Sequence, residues 1–274
     1  MPKEVIAVDI GGTYLRTGIV RGNKLFNYVK SKTPKTKKAV LNLFVSEISK
    51  QITPNVKGIG ISCAGVVDKG ILKCAPNLPI NGVNIKKFLQ LKFNKKIIIE
   101  NDANCVAIAE SKIGQGKTKK NFIVLALGTG IGGGIIINGK LYKGAGFAGE
   151  IGHIILDKGK DFEYYASGKA IQSLSLKHFH KKLAIQELIK QKDTKSEKIL
   201  NEISMYLGQG IASLISIFDP EVVILAGGLR ESGNEFLNMI KKQAYKYNFI
   251  PRKTPILFSK IDHAGTLGAG LLFN

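Results

Sequence analysis

The sequence predicts an α/β protein of two lobes, and three observations carry that prediction. The segment Val8-Asp9-Ile10-Gly11-Gly12-Thr13 leads into Gly18-Ile19-Val20 and then Lys24-Leu25-Phe26. Beginning 116 positions later, Val124-Leu125-Ala126-Leu127-Gly128-Thr129 leads into Gly134-Ile135-Ile136 and then Lys140-Leu141-Tyr142. A duplicated strand–glycine turn–strand–turn–strand unit gives two lobes, each presenting backbone N–H groups at a tight turn. Such turns facing one another across a cleft suit a polyphosphate. After each copy, apolar strands alternate with helical patterns, which marks the class as α/β. Apolar residues make up 44% of the 274, ample for a core, and no low-complexity tract interrupts them.

The first meander is expected at Val5–Asp9, Leu15–Val20 and Lys24–Lys30, with Arg21-Gly22-Asn23 as its second turn. Val40, Leu43, Phe44 and Ile48 have helical spacing within Ala39–Gln51, and Thr53-Pro54-Asn55 stops that helix. Gly58–Cys63 is a short apolar strand, Ala75–Gly82 an irregular loop, Ile85–Leu91 a short helix and Lys96–Glu100 a strand. Asn101-Asp102-Ala103-Asn104 opens a helix through about Ile113. The second meander begins near Asn121. A Gly-rich run, Lys143–Gly152, precedes helices between Tyr164 and Phe218. Strands follow at Glu221–Leu225 and Pro255–Ser259, and a small-residue helix at Thr266–Phe273 ends the sequence. The expected lobes are residues 1–118 with about 264–274, and residues 119–263, hinged near Gln115–Lys120.

Composition narrows the function classes. The net charge of +21 is mostly Lys, dispersed through several segments and little interleaved with aromatics. That pattern fits a solvated surface that favours anionic small molecules better than a nucleic-acid face. No membrane span is expected, because the longest apolar stretch, Phe122–Ile137, is broken by glycines. The polar opening Pro2-Lys3-Glu4 argues against a secretory leader, and three cysteines without metal-ligand spacing suit a reducing cytoplasm and core packing.

Several motifs can carry chemistry. Gly11-Gly12-Thr13 and Gly128-Thr129-Gly130 allow close backbone approach to a phosphate, and Asp9 at a strand end can hold Mg²⁺ or its waters. Gly227-Gly228 after an apolar strand can let a nucleoside lie against backbone, or simply make a tight turn. Asp102 near a helix N-terminus is open to two readings, a cap and a general base. Glu150 and His153 can converge on a polyol, although a lone His is commonly structural; His263 is read as structural. Ser111–Thr118 resembles a P-loop without its first Gly, but it follows a helix and precedes a strand. That context is reversed, so a basic surface loop is expected.

Taken together, these motifs resemble the ROK family of sugar kinases and repressors. They are Asp-Ile-Gly-Gly-Thr at 9–13, Glu-Asn-Asp-Ala-Asn at 100–104, Leu-Gly-Thr-Gly-Ile-Gly-Gly-Gly at 127–134 and Gly-Glu-Ile-Gly-His at 149–153. Glu163 with Tyr165-Ala166-Ser167-Gly168, Ala226-Gly227-Gly228 and Gly265-Thr266-Leu267-Gly268-Ala269 continue in family order. The resemblance implies the two-lobed actin-like ATPase (ribonuclease H-like) fold with a ligand cleft. It implies ATP-dependent phosphorylation of a hexose, usually at the 6-hydroxyl, with Asp102 as catalytic base. Gly65, Asn77, Asn101, Glu150, His153 and Glu163 are implied to hold the sugar. Gly11, Gly12, Thr13, Gly128, Thr129 and Gly130 are implied to contact ATP phosphates, Gly227 and Gly228 the nucleoside, and Asp9 to orient Mg²⁺ through water.

The resemblance further implies a homodimer with small-molecule partners, and with the cysteine and charge patterns above a cytoplasmic protein that binds no nucleic acid is expected. N-acylhexosamine kinase and fructokinase are alternatives, and a non-catalytic sugar sensor or an actin-like ATPase on a protein partner more distant ones. A helix-turn-helix of the family's regulators is not expected before Asp9. Two departures stand out. Most members carry a Cys-x-Cys-x4-Cys-type zinc site between the His and the second Glu, whereas Ile154–Phe162 contains no cysteine. No zinc is therefore expected, and His153 needs another partner, with Asp157 and Asp161 as candidates. Ala64-Gly65-Val66-Val67 also lacks a Pro that many relatives have near the second valine.

Overall fold

The computed structural model describes residues 4–274. Met1–Lys3, and with them most of the polar opening, lie outside the described residues. The elements in chain order are β1 (Glu4–Ile10), β2 (Tyr14–Arg21), β3 (Lys24–Lys32), α1 (Lys37–Ser49), β4 (Val56–Cys63), β5 (Val66–Asp68), β6 (Ile71–Cys74), α2 (Ile85–Phe93), β7 (Lys96–Asn101) and α3 (Asp102–Ile113). They continue as β8 (Phe122–Leu127), β9 (Ile131–Ile137), β10 (Lys140–Leu141), β11 (Ile155–Asp157), β12 (Lys160–Asp161), α4 (Phe162–Ala166), α5 (Gly168–Phe179), α6 (Ile185–Gln191), α7 (Thr194–Phe218), β13 (Val222–Gly227), α8 (Gly233–Tyr247), β14 (Ile256–Phe258) and α9 (Ala264–Leu271).

The chain divides into two compact units: 4–114 with Gly144–Phe147 and Ile261–Asn274, and Gln115–Lys143 with Ala148–Lys260. The first contains a five-stranded sheet in the order β3-β2-β1-β4-β7, the second one in the order β10-β9-β8-β13-β14. In each, the meander is antiparallel and the last three strands run parallel. The duplication anticipated from the glycine turns is thus a duplication of whole sheets. It is not a constant offset, however. Val8 pairs with Thr17, whereas Val124 pairs with Gly134, so the register of the second hairpin is shifted by one residue relative to the first.

Sequence dictates these elements locally. β1 is covered on both faces, and Val5, Ile6, Ala7, Val8 and Ile10 are buried as a central strand requires. In the second unit α7 and α8 lie against each other, with Ile199, Ile203, Leu207, Ile211, Phe236 and Ile240 in one core. α8 is not anticipated from the sequence. The β5–β6 hairpin is not anticipated either, and it leaves Cys74 exposed, correcting the expectation of a core cysteine. Cys63 and Cys105 are buried as expected, and burial pushes both thiols well up, keeping them neutral. Ser111–Thr118 runs from the end of α3 through a turn towards β8, the reverse of a P-loop context. His263 stacks on Tyr28, with ring centroids 4.0 Å apart, a structural role as expected. No helix among the described residues is long and apolar enough to cross a membrane.

β11 and β12 form a hairpin turned by Lys158 and Gly159, whose φ values are 46° and 70°. Positive φ at both central positions is the geometry that Asn-Gly satisfies best. Lys158→Asn is expected to stabilise the second unit by about 0.5–1 kcal/mol, because Lys tolerates the left-handed region poorly. Denaturant melting checks this, and an unchanged midpoint would contradict it.

Candidate active site

In the first unit, Asp9 is the next-to-last residue of β1, flanked in register by Arg16 of β2 and Ser62 of β4. The Ser62 hydroxyl donates to Asp9 Oδ1 at 2.7 Å, and Arg16 Nη1 to Oδ2 at 3.2 Å. Burial raises the Asp9 carboxyl above its ordinary value, with those two donors pulling against it. Sequence reasoning missed Arg16 and Ser62, because their approach depends on strand register. Gly11, Gly12 and Thr13 form the β1–β2 turn, where Gly11 N–H donates to Tyr14 O at 3.0 Å. Thr33, also missed, braces this turn: its hydroxyl donates to Gly11 O at 2.7 Å and its N–H to Thr13 O at 3.0 Å. A Cβ on Gly12 would lie 2.6 Å from Asn77 Cβ, so the absent side chain lets the 75–82 loop close on the turn.

The 100–104 motif resolves the choice of helix cap. Asn101, not Asp102, caps α3: its Oδ1 accepts the Asn104 N–H at 3.1 Å. Its Nδ2 donates to Gly65 O at 3.1 Å, tying two of the expected sugar residues together. Glu100 is buried and accepts from Asn101 N and Asn104 Nδ2 at 2.9 and 3.0 Å, fixing the motif from behind. Asp102 is the first residue of α3, and its Oδ1 accepts the Ala103 N–H at 2.9 Å. A carboxylate there is favoured as the anion by the helix dipole.

In the second unit, Gly128–Gly130 form the β8–β9 turn. Gly128 N–H donates to Gly130 O at 3.0 Å, and the turn carbonyls accept Gly168 N–H and Lys169 N–H at 2.9 and 3.2 Å. Those bonds seat α5 on the turn. Leu127, Gly128, Ile171, Leu183, Gly228 and Leu229 are among the residues lining an apolar cavity of about 170 Å³ that also holds Gln172 and Gln186. Gln186 Nε2 donates to Gly228 O at 3.2 Å. Gly227, at φ 89°, passes so close to β8 that a Cβ would lie 2.4 Å from Leu127 O, which explains the glycine.

Glu163, on α4, reaches the same turn: its Oε2 accepts the Ile131 N–H at 2.9 Å, directly above Gly130. Glu150 precedes a 3₁₀ turn over Ile151–His153, and its carbonyl accepts the His153 N–H at 3.1 Å. His153 Nδ1 lies 2.9 Å from Asp161 Oδ2, so Asp161, of the two candidates named above, is the partner. Asp9, Gly65, Asn77, Asn101 and Asp102 thus belong to the first unit, and Glu150, His153, Glu163 and the Gly227-Gly228 pair to the second.

Two five-stranded sheets of identical order, each with a glycine turn in its leading hairpin, define the two-lobed actin-like ATPase fold. The ROK family profile matches residues 5–274, and the chain belongs to that family. A glucokinase of Streptomyces coelicolor is 30% identical over 303 residues, covering 96% of this chain and 95% of that protein. A xylose repressor of Bacillus spizizenii is 32% identical over 262 residues, covering 87% of the chain and 67% of the repressor. Among solved structures, the ROK family glucokinase from Streptomyces griseus in complex with glucose and AMPPNP has a TM-score of 0.88 at 28% identity, with 98% of each chain covered.

Proposed function

We propose that this chain transfers the γ-phosphoryl group of ATP to a hexose, at the 6-hydroxyl, as a glucokinase or broad-specificity hexokinase. A role as an ATP-dependent sugar kinase is in keeping with its likeness to glucokinases. The observation that carries the finer reading is Asp102 in the first turn of α3 with the cap duty taken by Asn101. A helix-start carboxylate, favoured as the anion by the helix dipole, suits acceptance of the proton of an attacking hydroxyl.

In this reading, Asp102 accepts the hydroxyl proton as the phosphoryl group moves. Asn101, Gly65, Asn77, Glu150, His153 and Glu163 orient the sugar. The Gly11–Thr13 and Gly128–Gly130 turns direct backbone N–H groups at the phosphates, stabilising charge there. The apolar cavity beside Gly228 takes the base, and Gly227 allows close backbone approach. Mg²⁺ would be held through water by Asp9, whose two oxygens are oriented by the Ser62 hydroxyl and Arg16. When bound, it neutralises phosphate charge. A cytoplasmic homodimer belongs to the same proposal.

The test is sugar-dependent ADP release with MgATP across glucose, mannose, fructose, glucosamine and N-acetylated hexosamines. Turnover is expected, and its ranking names the substrate, including an N-acylhexosamine or fructose if either leads. A sugar sensor is the second reading, favoured by the likeness to a xylose repressor. Sugar binding without any ADP release would move the weight to it.

Gly130 offers a sharper check on the sugar side. A Cβ there would sit 2.1 Å from Glu163 Oε2 and evict it from the Ile131 N–H. Gly130→Ala is expected to raise the sugar KM roughly tenfold or more, the worth of a charge-assisted hydrogen bond. Steady-state kinetics measure it, and an unaltered sugar KM would contradict the role of Glu163.

A further inference from the structure

We propose that Asp161 performs in this chain the positioning role that a zinc ion would otherwise perform, holding His153 through Nδ1 and tying it to the helix that carries Glu163. Taking His153 as a sugar ligand, the assignment rests on the kinase reading above. The residues present do not fit zinc. Ile154–Phe162 supplies no thiolate, and among the described residues no group of three or more His, Cys, Asp or Glu side chains is placed to hold a metal.

The segment is instead a closed two-strand hairpin. Ile155 pairs with Asp161, Asp157 with Lys160, and the Phe162 N–H donates to Ile154 O at 2.9 Å. This pairing carries Asp161 back beside His153, eight residues earlier in the chain. The two carboxylate oxygens then divide their work. Oδ2 meets His153 Nδ1 at 2.9 Å, and Oδ1 caps α4 by accepting the Tyr164 N–H at 2.8 Å. One residue past the Asp161–Phe162 step, Glu163 is fixed in turn on the Ile131 N–H. A single carboxylate therefore sets the position of both implied sugar ligands.

The hydrogen bond also sets the ring chemistry. An anionic acceptor at Nδ1 demands Nδ1–H, so in the neutral ring Nε2 carries the lone pair and can accept from a sugar hydroxyl. The Asp161 bond raises the His153 pKa above its ordinary value, against partial desolvation, and Glu163 of α4 and Glu150 before the 3₁₀ turn act in the same direction. Of the nearby cations, Lys169 lies 4.0 Å from Glu163, and Lys160 sits over the Tyr164 ring. Although desolvation pushes the Asp161 carboxyl up, the His153 and Tyr164 bonds outweigh it and hold that carboxyl below its ordinary value. With His153 raised, the pair's contribution is complete below the ordinary imidazole pKa and fades as pH rises through the raised one. With Asp161 lowered, it is complete above the ordinary carboxylate pKa and fades as pH falls through the lowered one.

Asp161→Asn separates positioning from folding. Asn caps helices as well as Asp, so its Oδ1 keeps the Tyr164 N–H and the fold survives. Its amide NH₂ then faces His153 Nδ1 and donates to it, forcing the opposite tautomer and removing the charge. We measure the tautomer and pKa of His153 by ¹⁵N NMR, and sugar and ATP kinetics in parallel, with Zn²⁺ alone as an added probe. The wild type is expected to show Nδ1–H and a raised pKa. Asp161→Asn should show Nε2–H, a lower pKa and a sugar KM roughly 10–100-fold higher, with the ATP KM unchanged. A ring indifferent to the substitution, or stoichiometric zinc bound at His153, would overturn the proposal. A tautomer switch on Asp161→Asn, with a wild type that turns over no sugar, would instead overturn the kinase reading and leave the pairing standing.

Discussion

Replacing Asp102 by Asn is expected to lower kcat by a factor of about 10²–10⁴ with the ATP KM and the melting temperature nearly unchanged, because general-base catalysis is worth that much. The structure makes the prediction discriminating. Had Asp102 been the cap of α3, its loss would appear as instability, and Asn would largely repair it. Asn101 is the cap, with its Oδ1 on the Asn104 N–H at 3.1 Å. Asn101→Ala should therefore cost about 0.5–2 kcal/mol of stability, whereas Asp102→Asn gives up only the dipole contribution, about 0.3–1 kcal/mol. Steady-state kinetics alongside thermal melts separate the two. A destabilised Asp102→Asn variant with full kcat would return Asp102 to a structural role.

The largest effect on folding is expected at Gly268. α9 packs on α3, β1 and β4, and its glycines bring backbone against backbone there. A Cβ on Gly268 would lie 1.9 Å from Cys105 O, and one on Gly60 would lie 1.9 Å from Ala269 O. Backbone carbonyls cannot swing aside as side chains do, so Gly268→Val must push α9 off α3. Overpacking of that kind costs typically 1–3 kcal/mol and occasionally more, and the upper end applies here. A fall of roughly 6–12 °C in melting temperature should follow. A Val variant melting with the wild type would show that α9 docks less closely than described.

These two residues also show what the sequence made legible. The 100–104 motif and the small residues of Thr266–Phe273 are readable as a helix start and a helix, the latter found at Ala264–Leu271, because capping and helix-forming composition are local signals. The repeated glycine turns likewise announced two related sheets, and the strand order repeats in full. Register was not legible. Whether Val8 faces Thr17 or Gly18 depends on one residue of turn length, and with it goes the row Arg16–Asp9–Ser62 that holds the buried carboxylate.

Hidden, too, was the choice of Asp161 over Asp157 as the partner of His153. That choice depends on the two-residue turn at Lys158-Gly159, where Lys carries no signal of a positive φ. α8 went unread although Phe236, Leu237, Ile240 and Ala244 have helical spacing, because the glycines around its start read as turn. Cys74 was misplaced for a similar reason: the short β5–β6 hairpin lies on the surface, and an apolar neighbourhood in sequence does not make a core.

Transfer of the label from γ-labelled ATP to the hexose that leads the panel tests the central claim most directly, with that hexose and its 6-deoxy analogue compared. Labelled sugar phosphate is expected from the hexose and none from the 6-deoxy analogue, with transfer collapsing in Asp102→Asn. Label released only as inorganic phosphate, at a rate indifferent to sugar and to Asp102, would contradict it.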